Sequence, residues 1–327
     1  MVAFRIFPVL ILACAAIAGC TAEPPKSDGA SSGKKLLGVT LFYRQDEFYK
    51  DLESGVRDAA AALGYELLVS DAETQVVKQA SQVDNFIRAR VAGMILCCAD
   101  PNGIIPAIER ANEAKIPVVT LDGSANGGQV VSYVGHDNAA NGRAAGEFLV
   151  KYAQSRPGSE PLGVVILDYP KSATVCAARV EGFKKAVAGQ PRIRIVAQQD
   201  GEANRAASFK VMSSVLQASP QIDAVFGIND NTVLGAMAAA ESAGRAEGIR
   251  FISVSWSSEA FELLEKPSSL AAAVVTNPYE MGYKAVQCLV DHLDGKETPK
   301  QVLLEPAVYT HENVKQLDWR SVVQKRK

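Results

Sequence analysis

A set of polar and aromatic residues directly follows apolar segments of the chain. The set consists of Asp46, Phe48, Tyr49, Asp122, His136, Asp137, Asn138, Arg179, Asn229, Asp230, Trp256, Ser257, Thr276 and Asn277. Aromatic rings stack on the C–H faces of a polyhydroxylated ligand, while carboxylate, amide and guanidinium groups bind its hydroxyls. This combination of residue types favours sugar binding.

The apolar segments that precede these residues alternate with longer segments of helical periodicity. Predicted strands lie at 36–42, 66–70, 91–97, 116–121, 162–167, 193–197, 224–228, 251–254 and 271–275, and predicted helices at 49–63, 76–90, 104–114, 138–153, 175–187, 206–217, 232–243 and 281–293. Continuous apolar runs are typical of parallel strands covered on both faces. We therefore predict an α/β fold with two doubly wound parallel-sheet domains, whose strand ends gather the polar set.

Catalytic chemistry finds little support in the sequence. The histidines are His136, His292 and His311, and no nucleophile elbow, metal-ligand spacing or glycine-rich phosphate loop accompanies them. His136 beside Asp137 could act as a base, but we expect it to hydrogen-bond the backbone or adjust domain closure. The sequence predicts a protein that is not an enzyme and that needs no cofactor or metal.

Charge and length limit the possible partners. The chain has 327 residues with 34 basic and 36 acidic side chains, and its net charge of −2 gives no reason to expect nucleic-acid binding. That length exceeds what one hydrophobic core usually supports, and a hydrophobic content of 48% suffices for two domains.

Cys97, Cys98, Cys176 and Cys288 lack the spacing of a zinc site or disulfide framework, and we expect Cys97 and Cys98 to be buried thiols.

The first twenty residues indicate export. Arg5, an apolar run over 7–17 and the tetrapeptide ending at Cys20 resemble a bacterial lipoprotein signal. We predict a signal peptide over 1–19, acylation of Cys20 and a flexible linker over 20–35, which place the protein in the periplasm or at the cell surface, anchored through lipid alone. A short buried or spanning helix is the alternative, but the run is brief for a bilayer.

The order of several motifs resembles a known family over roughly 36–306. The matching pieces are Asp46-Glu47-Phe48-Tyr49, 60–65, 116–122, Asp137-Asn138, Arg179 with Glu181-Gly182-Phe183, 224–230 and 277–282. Together they are similar to the periplasmic sugar-binding proteins of the ribose-binding type, the type I solute-binding proteins of ABC importers. The resemblance implies two lobes, 36–136 plus 277–305 and 137–276 plus 306–327, joined by a three-segment hinge near His136, Thr276 and Glu305.

The resemblance also implies roles for individual residues. Phe48 and Tyr49 would form an aromatic wall, with Asp46 and Asp122 accepting hydroxyl hydrogens. From the other lobe, Arg179 would donate, Asn229 would donate and accept, and Trp256 would stack on the ligand. We predict ligand contacts from Asp46, Phe48, Tyr49, Asp122, His136, Asp137, Arg179, Asn229, Trp256, Ser257 and Thr276.

Four positions depart from the family's pattern. Gly123 stands where ribose binders commonly carry arginine, Ala203 where an aromatic residue is frequent, Thr276 where glutamine is usual, and Ser257 where an aspartate is expected. These losses of bulk or charge argue against ribose. They favour a hexose, a polyol or a modified sugar.

Ordinary structural explanations stay open for several of these residues. Asp122-Gly123 is also a turn dipeptide, Asp230 is better placed as a helix N-cap than as a ligand contact, and Arg179 could be a solvated or salt-bridged helix residue. Phe48 and Tyr49 could simply pack the start of a helix.

The family resemblance leaves the partner open as well. The expected partners are a sugar or polyol and an ABC transporter permease, and the expected state is a monomer. A sensor kinase or chemoreceptor that reads the closed form is the alternative partner. An effector domain related to sugar-responsive repressors is disfavoured, because no helix-turn-helix region precedes Leu36.

Overall fold

The fold was analysed in a computed structural model, which describes residues 1, 35–172, 175–219 and 221–324. The strands are β1 (Lys35–Leu41), β2 (Tyr65–Asp71), β3 (Gly93–Leu96), β4 (Val118–Leu121), β5 (Ser132–His136), β6 (Leu162–Asp168), β7 (Ile193–Asp200), β8 (Ala224–Gly227), β9 (Arg250–Ser255), β10 (Leu270–Val275), β11 (Gln301–Leu304) and β12 (Ala307–Tyr309). The helices are α1 (Glu47–Ala62), α2 (Val76–Arg88), α3 (Ile105–Glu113), α4 (Asn138–Ser155), α5 (Cys176–Val187), α6 (Arg205–Ala218), α7 (Asp230–Ser242), α8 (Ser258–Leu264), α9 (Pro278–Leu293) and α10 (Trp319–Val323), with 3₁₀ turns at Ala246–Gly248 and Val314–Gln316.

The strands form two six-stranded sheets with matching order. The first sheet runs β11-β5-β4-β3-β1-β2 and the second β12-β10-β9-β8-β6-β7. All pairings in the first sheet are parallel, whereas β12 pairs antiparallel with β10 at the edge of the second. The predicted fold class of two doubly wound α/β domains is confirmed, with β12 as an antiparallel addition.

Close helix packing shows which helices accompany each sheet. A Cβ atom at Gly142 in α4 would overlap the carbonyl of Arg179 in α5, so α4 lies directly against the second-sheet helix α5. In the same way Gly282 brings α9 onto the main chain of α1, beside the first sheet. The chain therefore crosses between sheets after β5, after β10 and between β11 and β12. We call the first sheet with its helices the first lobe, and the second sheet with its helices the second lobe.

Several elements differ from the sequence predictions. The strands β5, β11 and β12 and the helices α8 and α10 were not predicted, because each is short or, like β5, interrupted by polar residues and glycine. Strand β1 begins at Lys35, inside the predicted linker. The predicted signal peptide, Cys20 and the linker up to residue 34 lie outside the described residues.

The described residues include four of the cysteines and all of the helices that can be compared with the length of a membrane span. Cys97, Cys98, Cys176 and Cys288 are buried free thiols, as predicted for the first two. Burial raises the pKa of the Cys98 thiol to about 12, which keeps it protonated and unreactive. Among the described helices, none combines the length and apolar character needed to span a bilayer.

Candidate functional site

The aromatic pair lies at the start of α1, where the first lobe meets the second. Asp46 caps this helix by accepting a hydrogen bond from the Phe48 amide at 2.9 Å, so α1 begins at Glu47 rather than at the predicted Tyr49. The rings of Phe48 and Tyr49 meet edge to face with centroids 5.1 Å apart. Phe48 packs against the hydrophobic cores of both lobes. This position places it at the junction between the lobes.

Asp122 extends the site from the end of β4. Its carboxylate accepts a hydrogen bond from the Tyr49 hydroxyl at 2.9 Å, and its main-chain carbonyl accepts one from the Tyr133 hydroxyl at 2.9 Å. Burial raises the pKa of both Asp122 and Tyr49. Asp122 also adopts a left-handed backbone with φ of 60°, so the turn interpretation describes its backbone while its side chain faces Tyr49.

His136 ends β5 at the first crossing between the lobes. It is 4% exposed, and neither ring nitrogen has a hydrogen-bond partner among the described residues. The expected hydrogen bond to the backbone is therefore wrong, whereas the alternative effect on domain closure and the ligand contact of His136 stay predictions. Burial, helped by the nearby positive charge of Arg179, lowers the pKa of His136 to about 3. The imidazole is neutral at physiological pH and a poor base.

Arg179 in α5 is buried rather than solvated. Its Nε donates to Asn138 Oδ1 at 2.9 Å and its Nη1 to the carbonyl of Ile228 at 2.8 Å, at the end of β8. Only 9% of the Arg179 surface is exposed, so its interpretation as a solvated or salt-bridged arginine is wrong. Burial is the main cause of both the raised pKa of Asp122 and the lowered pKa of His136 in the first lobe, and the charge of Arg179 partly offsets the first shift and adds to the second. The guanidinium is therefore within electrostatic reach of both first-lobe groups.

Asn229 takes the helix-capping role that the sequence suggested for Asp230, and its own predicted ligand contact stays a prediction. Asn229 caps α7, its Oδ1 accepting hydrogen bonds from the Thr232 amide at 2.9 Å and hydroxyl at 2.7 Å. Asp230 is therefore not the N-cap. Its Oδ2 instead accepts a hydrogen bond from the Trp256 amide at 2.8 Å. Burial raises the pKa of Asp230 to about 6, and the charge of Asp46 from the first lobe acts in the same direction.

Trp256 lies inside the second lobe rather than on its surface. The residue is 4% exposed, and its ring meets Phe261 edge to face with centroids 5.4 Å apart. The indole N–H donates to Asp51 Oδ2 in the first lobe at 2.6 Å. The ring is thus packed inside this core. Its predicted stacking on a ligand is not tested by these contacts and stays a prediction.

Three further predicted residues have structural roles at element ends. Asp137 caps α4 by accepting a hydrogen bond from the Ala140 amide at 2.8 Å. Ser257 caps α8 through a longer bond of 3.3 Å from the Ala260 amide. Thr276 follows β10 at the second crossing and is 3% exposed. All three lie at the edge where the lobes meet, and their ligand contacts stay predictions.

Comparison with known proteins identifies the family. A family model described as a periplasmic binding protein domain matches residues 37–297. The ribose import binding protein of Salmonella typhimurium is 30% identical over 81% of this chain and 86% of its own length, and that of Bacillus subtilis is 30% identical over 90% and 94%. The chain belongs to the periplasmic binding protein family.

A solved structure supports the same assignment. The ABC transporter solute binding protein from Mycobacterium smegmatis, with bound glycerol, matches this binding protein with a TM-score of 0.79 and 27% identity, over 87% of this chain and 97% of that one. The curated relatives of the present chain are import binding proteins. This periplasmic binding protein of the ribose-binding type is therefore a solute binder and not an enzyme, as the sequence predicted.

Two hydrogen-bonded contacts between the lobes of this binding protein were missed by sequence reasoning. The amide and hydroxyl of Ser258 donate to Glu47 Oε2 at 2.8 and 2.9 Å, and Trp256 donates to Asp51 as described. Glu47 and Asp51 lie four residues apart and so share one face of α1. Acidic residues on a helix usually face solvent, and no sequence signal links them to partners more than 200 residues away.

Proposed function

We propose that this protein is an extracytoplasmic lipoprotein that captures a sugar or polyol between its lobes and delivers it to an ABC importer permease. The observation that carries this proposal is the convergence of both lobes on one site. Phe48 packs against the cores of both lobes, and Arg179 of the second lobe is near enough to partly offset the burial that raises the pKa of Asp122 and to add to the burial that lowers the pKa of His136. Carboxylate, imidazole, guanidinium and aromatic groups together suit a neutral, hydroxyl-rich ligand.

Capture proceeds by hinge closure about the three crossings, with lobes at 36–136 plus 277–305 and 137–276 plus 306–327. A ligand shifts an open–closed equilibrium only if it binds the closed state better, so it must contact both lobes at once. A ligand that contacts the first-lobe rings of Phe48 and Tyr49 and the second-lobe Arg179 would satisfy that condition. The closed form is then the form that the permease recognises.

The ligand class follows from the positions that depart from the family's pattern. Ser257 and Thr276 are small at the junction of the lobes, and neither carries charge. At Gly123 the backbone of Cys98 fills the space that a side chain would need. A Cβ atom there would lie 2.6 Å from the Cys98 carbonyl oxygen. The relatives compared above are ribose import binding proteins, and the structural neighbour holds glycerol. We propose a hexose or polyol for this chain.

Calorimetric titration tests the ligand class. Purified protein is titrated with D-ribose, D-glucose, D-galactose, xylitol and glycerol, and we expect a hexose or polyol to bind most tightly. Small-angle scattering with that ligand should show a smaller radius of gyration than without it. Ribose preferred over every other compound would reject the ligand class. Binding of none of them, or binding without contraction, would reject capture by closure.

The lipid anchor is tested separately at Cys20. Protein purified from bacterial membranes with detergent should carry a mature N-terminus at Cys20 whose mass includes the added lipid. Cys20→Ser should release the protein from the membrane fraction while leaving sugar binding unchanged, because Cys20 precedes the described lobes. An unmodified mature N-terminus would reject the anchor without touching the proposed sugar capture.

A further inference from the structure

The imidazole of His136 is a buried polar group that the described part of the chain does not satisfy. It is 4% exposed, and both ring nitrogens lack a hydrogen-bond partner among the described residues. Buried polar atoms almost always have a partner, and leaving one without a partner is costly. We propose that His136 forms the base of the ligand site and binds a hydroxyl of the captured sugar or polyol. This inference rests on the proposed function.

The position of His136 supports this role. It ends β5 at the first crossing, with its ring centroid 6.0 Å from that of Phe48. Its pKa responds to the charge of Arg179 from the second lobe. The imidazole thus lies near both the aromatic wall and the guanidinium that are predicted to contact ligand. A group in that place meets a ligand held between the lobes.

The chemistry of a neutral imidazole matches a hydroxyl. One ring nitrogen carries a proton and donates, while the other accepts. A hydroxyl also donates and accepts, so either nitrogen finds a complementary partner in a sugar or polyol. An anionic group can accept from the one N–H but cannot donate to the other nitrogen, and burial and the charge of Arg179 disfavour the imidazolium that would donate twice. A hydroxyl is therefore the ligand group that can bond to either nitrogen of His136.

A second buried polar side chain at the same crossing agrees with this role. Asn141 in α4 is fully buried, and neither its Oδ1 nor its Nδ2 has a hydrogen-bond partner among the described residues. It lies three residues after Asn138, on the same side of the helix, and Asn138 holds Arg179. The first crossing thus carries two side chains whose polar atoms find no partner in the described part of the chain.

The experiment compares His136→Phe with His136→Gln. The phenyl ring fills the space of the imidazole without polar atoms, so the melting temperature of the unliganded protein should rise by about 2–6 °C. Its Kd for the panel compound that wild type binds most tightly should rise about tenfold or more. Glutamine keeps a donor and an acceptor, and its Kd should fall between those of wild type and His136→Phe. The substitution His292→Gln, near the end of α9, should change neither quantity.

A higher melting temperature together with a higher Kd, that is, greater stability with weaker binding, distinguishes a ligand contact from a structural residue. If His136→Phe raises the melting temperature but leaves Kd unchanged, His136 meets only water. If His136→Phe lowers the melting temperature, the imidazole already has hydrogen-bond partners in the unliganded protein. Either result overturns the inference. Should His136→Phe fail to fold, an unchanged Kd for His136→Gln overturns it instead. If wild type binds and the variants bind equally, this inference alone fails, whereas a wild type that binds no panel compound rejects the proposed function with it.

Discussion

The two lobes build their facing edges in different ways. In the first lobe, Phe48 and Tyr49 supply ring surface, and Tyr49 and Asp122 hydrogen-bond each other side chain to side chain. In the second lobe, Arg179 and Asp230 are held by main-chain atoms of their own lobe, the Ile228 carbonyl and the Trp256 amide. The first edge therefore offers contact area, and the second offers polar groups that are already oriented when a ligand arrives.

Removing the oriented guanidinium tests this difference most strongly. Arg179→Met should raise the Kd for sugar or polyol about 100-fold, because a charge-assisted contact is lost and its site is left with an apolar chain. The variant should also lower the free energy of unfolding by about 2–3 kcal/mol, since Asn138 Oδ1 and the Ile228 carbonyl lose their donors. Calorimetry and urea unfolding measure the two effects.

Arg245→Met serves as the matched control for that variant. Arg245 also belongs to the second lobe and donates to main-chain carbonyls, those of Leu216 and Ser219, but it lies away from the edge that faces the first lobe. It should lower the free energy of unfolding and leave Kd unchanged. Equal effects of both substitutions on Kd would show that Arg179 acts only through stability.

Two buried groups, Asp230 of the second lobe and His136 of the first, should respond to pH in opposite directions. Asp230 has a pKa raised to about 6 from 3.8, so the folded protein retains a proton that the unfolded chain releases, and stability falls as pH rises from about 4 to 6. His136 has a pKa lowered to about 3 from 6.5, so the unfolded chain binds the extra proton, and stability falls as pH drops below about 6.5. Each contributes a slope of about 1.4 kcal/mol per pH unit, and from about pH 4 to 6 the two oppose each other.

Single substitutions separate these slopes. Asp230→Asn should make stability rise more steeply with pH than in wild type, whereas His136→Gln should make it rise less steeply or fall. Across the two-unit window each variant should diverge from wild type by about 3 kcal/mol. Urea unfolding at pH 4, 5 and 6 measures the slopes, and parallel slopes for all three proteins would contradict the assignment of either pKa.

The fold and the location of the candidate site could be predicted from the sequence because parallel strands carry a strong signal. Their continuous apolar runs end at polar residues, and this pattern alone predicts Asp122 at a strand end, where it directly follows β4. Strand β5 escaped detection since Gly135 interrupts its pattern. That glycine is required by packing, because a Cβ there would overlap the Tyr133 hydroxyl, which bonds to the Asp122 carbonyl.

Side-chain pairing was the part that local sequence could not decide. Asn229 and Asp230 are both favoured N-cap residues, so composition alone could not choose between them. The choice depends on Trp256, whose amide holds the Asp230 carboxylate from 26 residues away. In the same way, local sequence could not show that the ring nitrogens of His136 lack hydrogen-bond partners, because this depends on which distant residues of the described chain surround the ring.

The smallest predicted effect concerns a contact that ties the two edges together. Ser258→Ala removes the hydroxyl bond to Glu47 Oε2 but keeps the amide bond, so it should weaken contact between the lobes by about 1 kcal/mol. Ligand binding is coupled to closure, and its Kd should therefore rise about fivefold, with a larger radius of gyration for the unliganded protein in small-angle scattering.

Ser268→Ala is the control, because its hydroxyl bonds the Leu263 carbonyl within the second lobe. It should lower the melting temperature while leaving Kd and radius unchanged. If the two serine variants behave alike, the Glu47–Ser258 contact stabilises a lobe and does not govern closure. A change confined to Ser258→Ala shows that the oriented second-lobe edge is brought onto the first-lobe wall partly through this contact, even without a ligand.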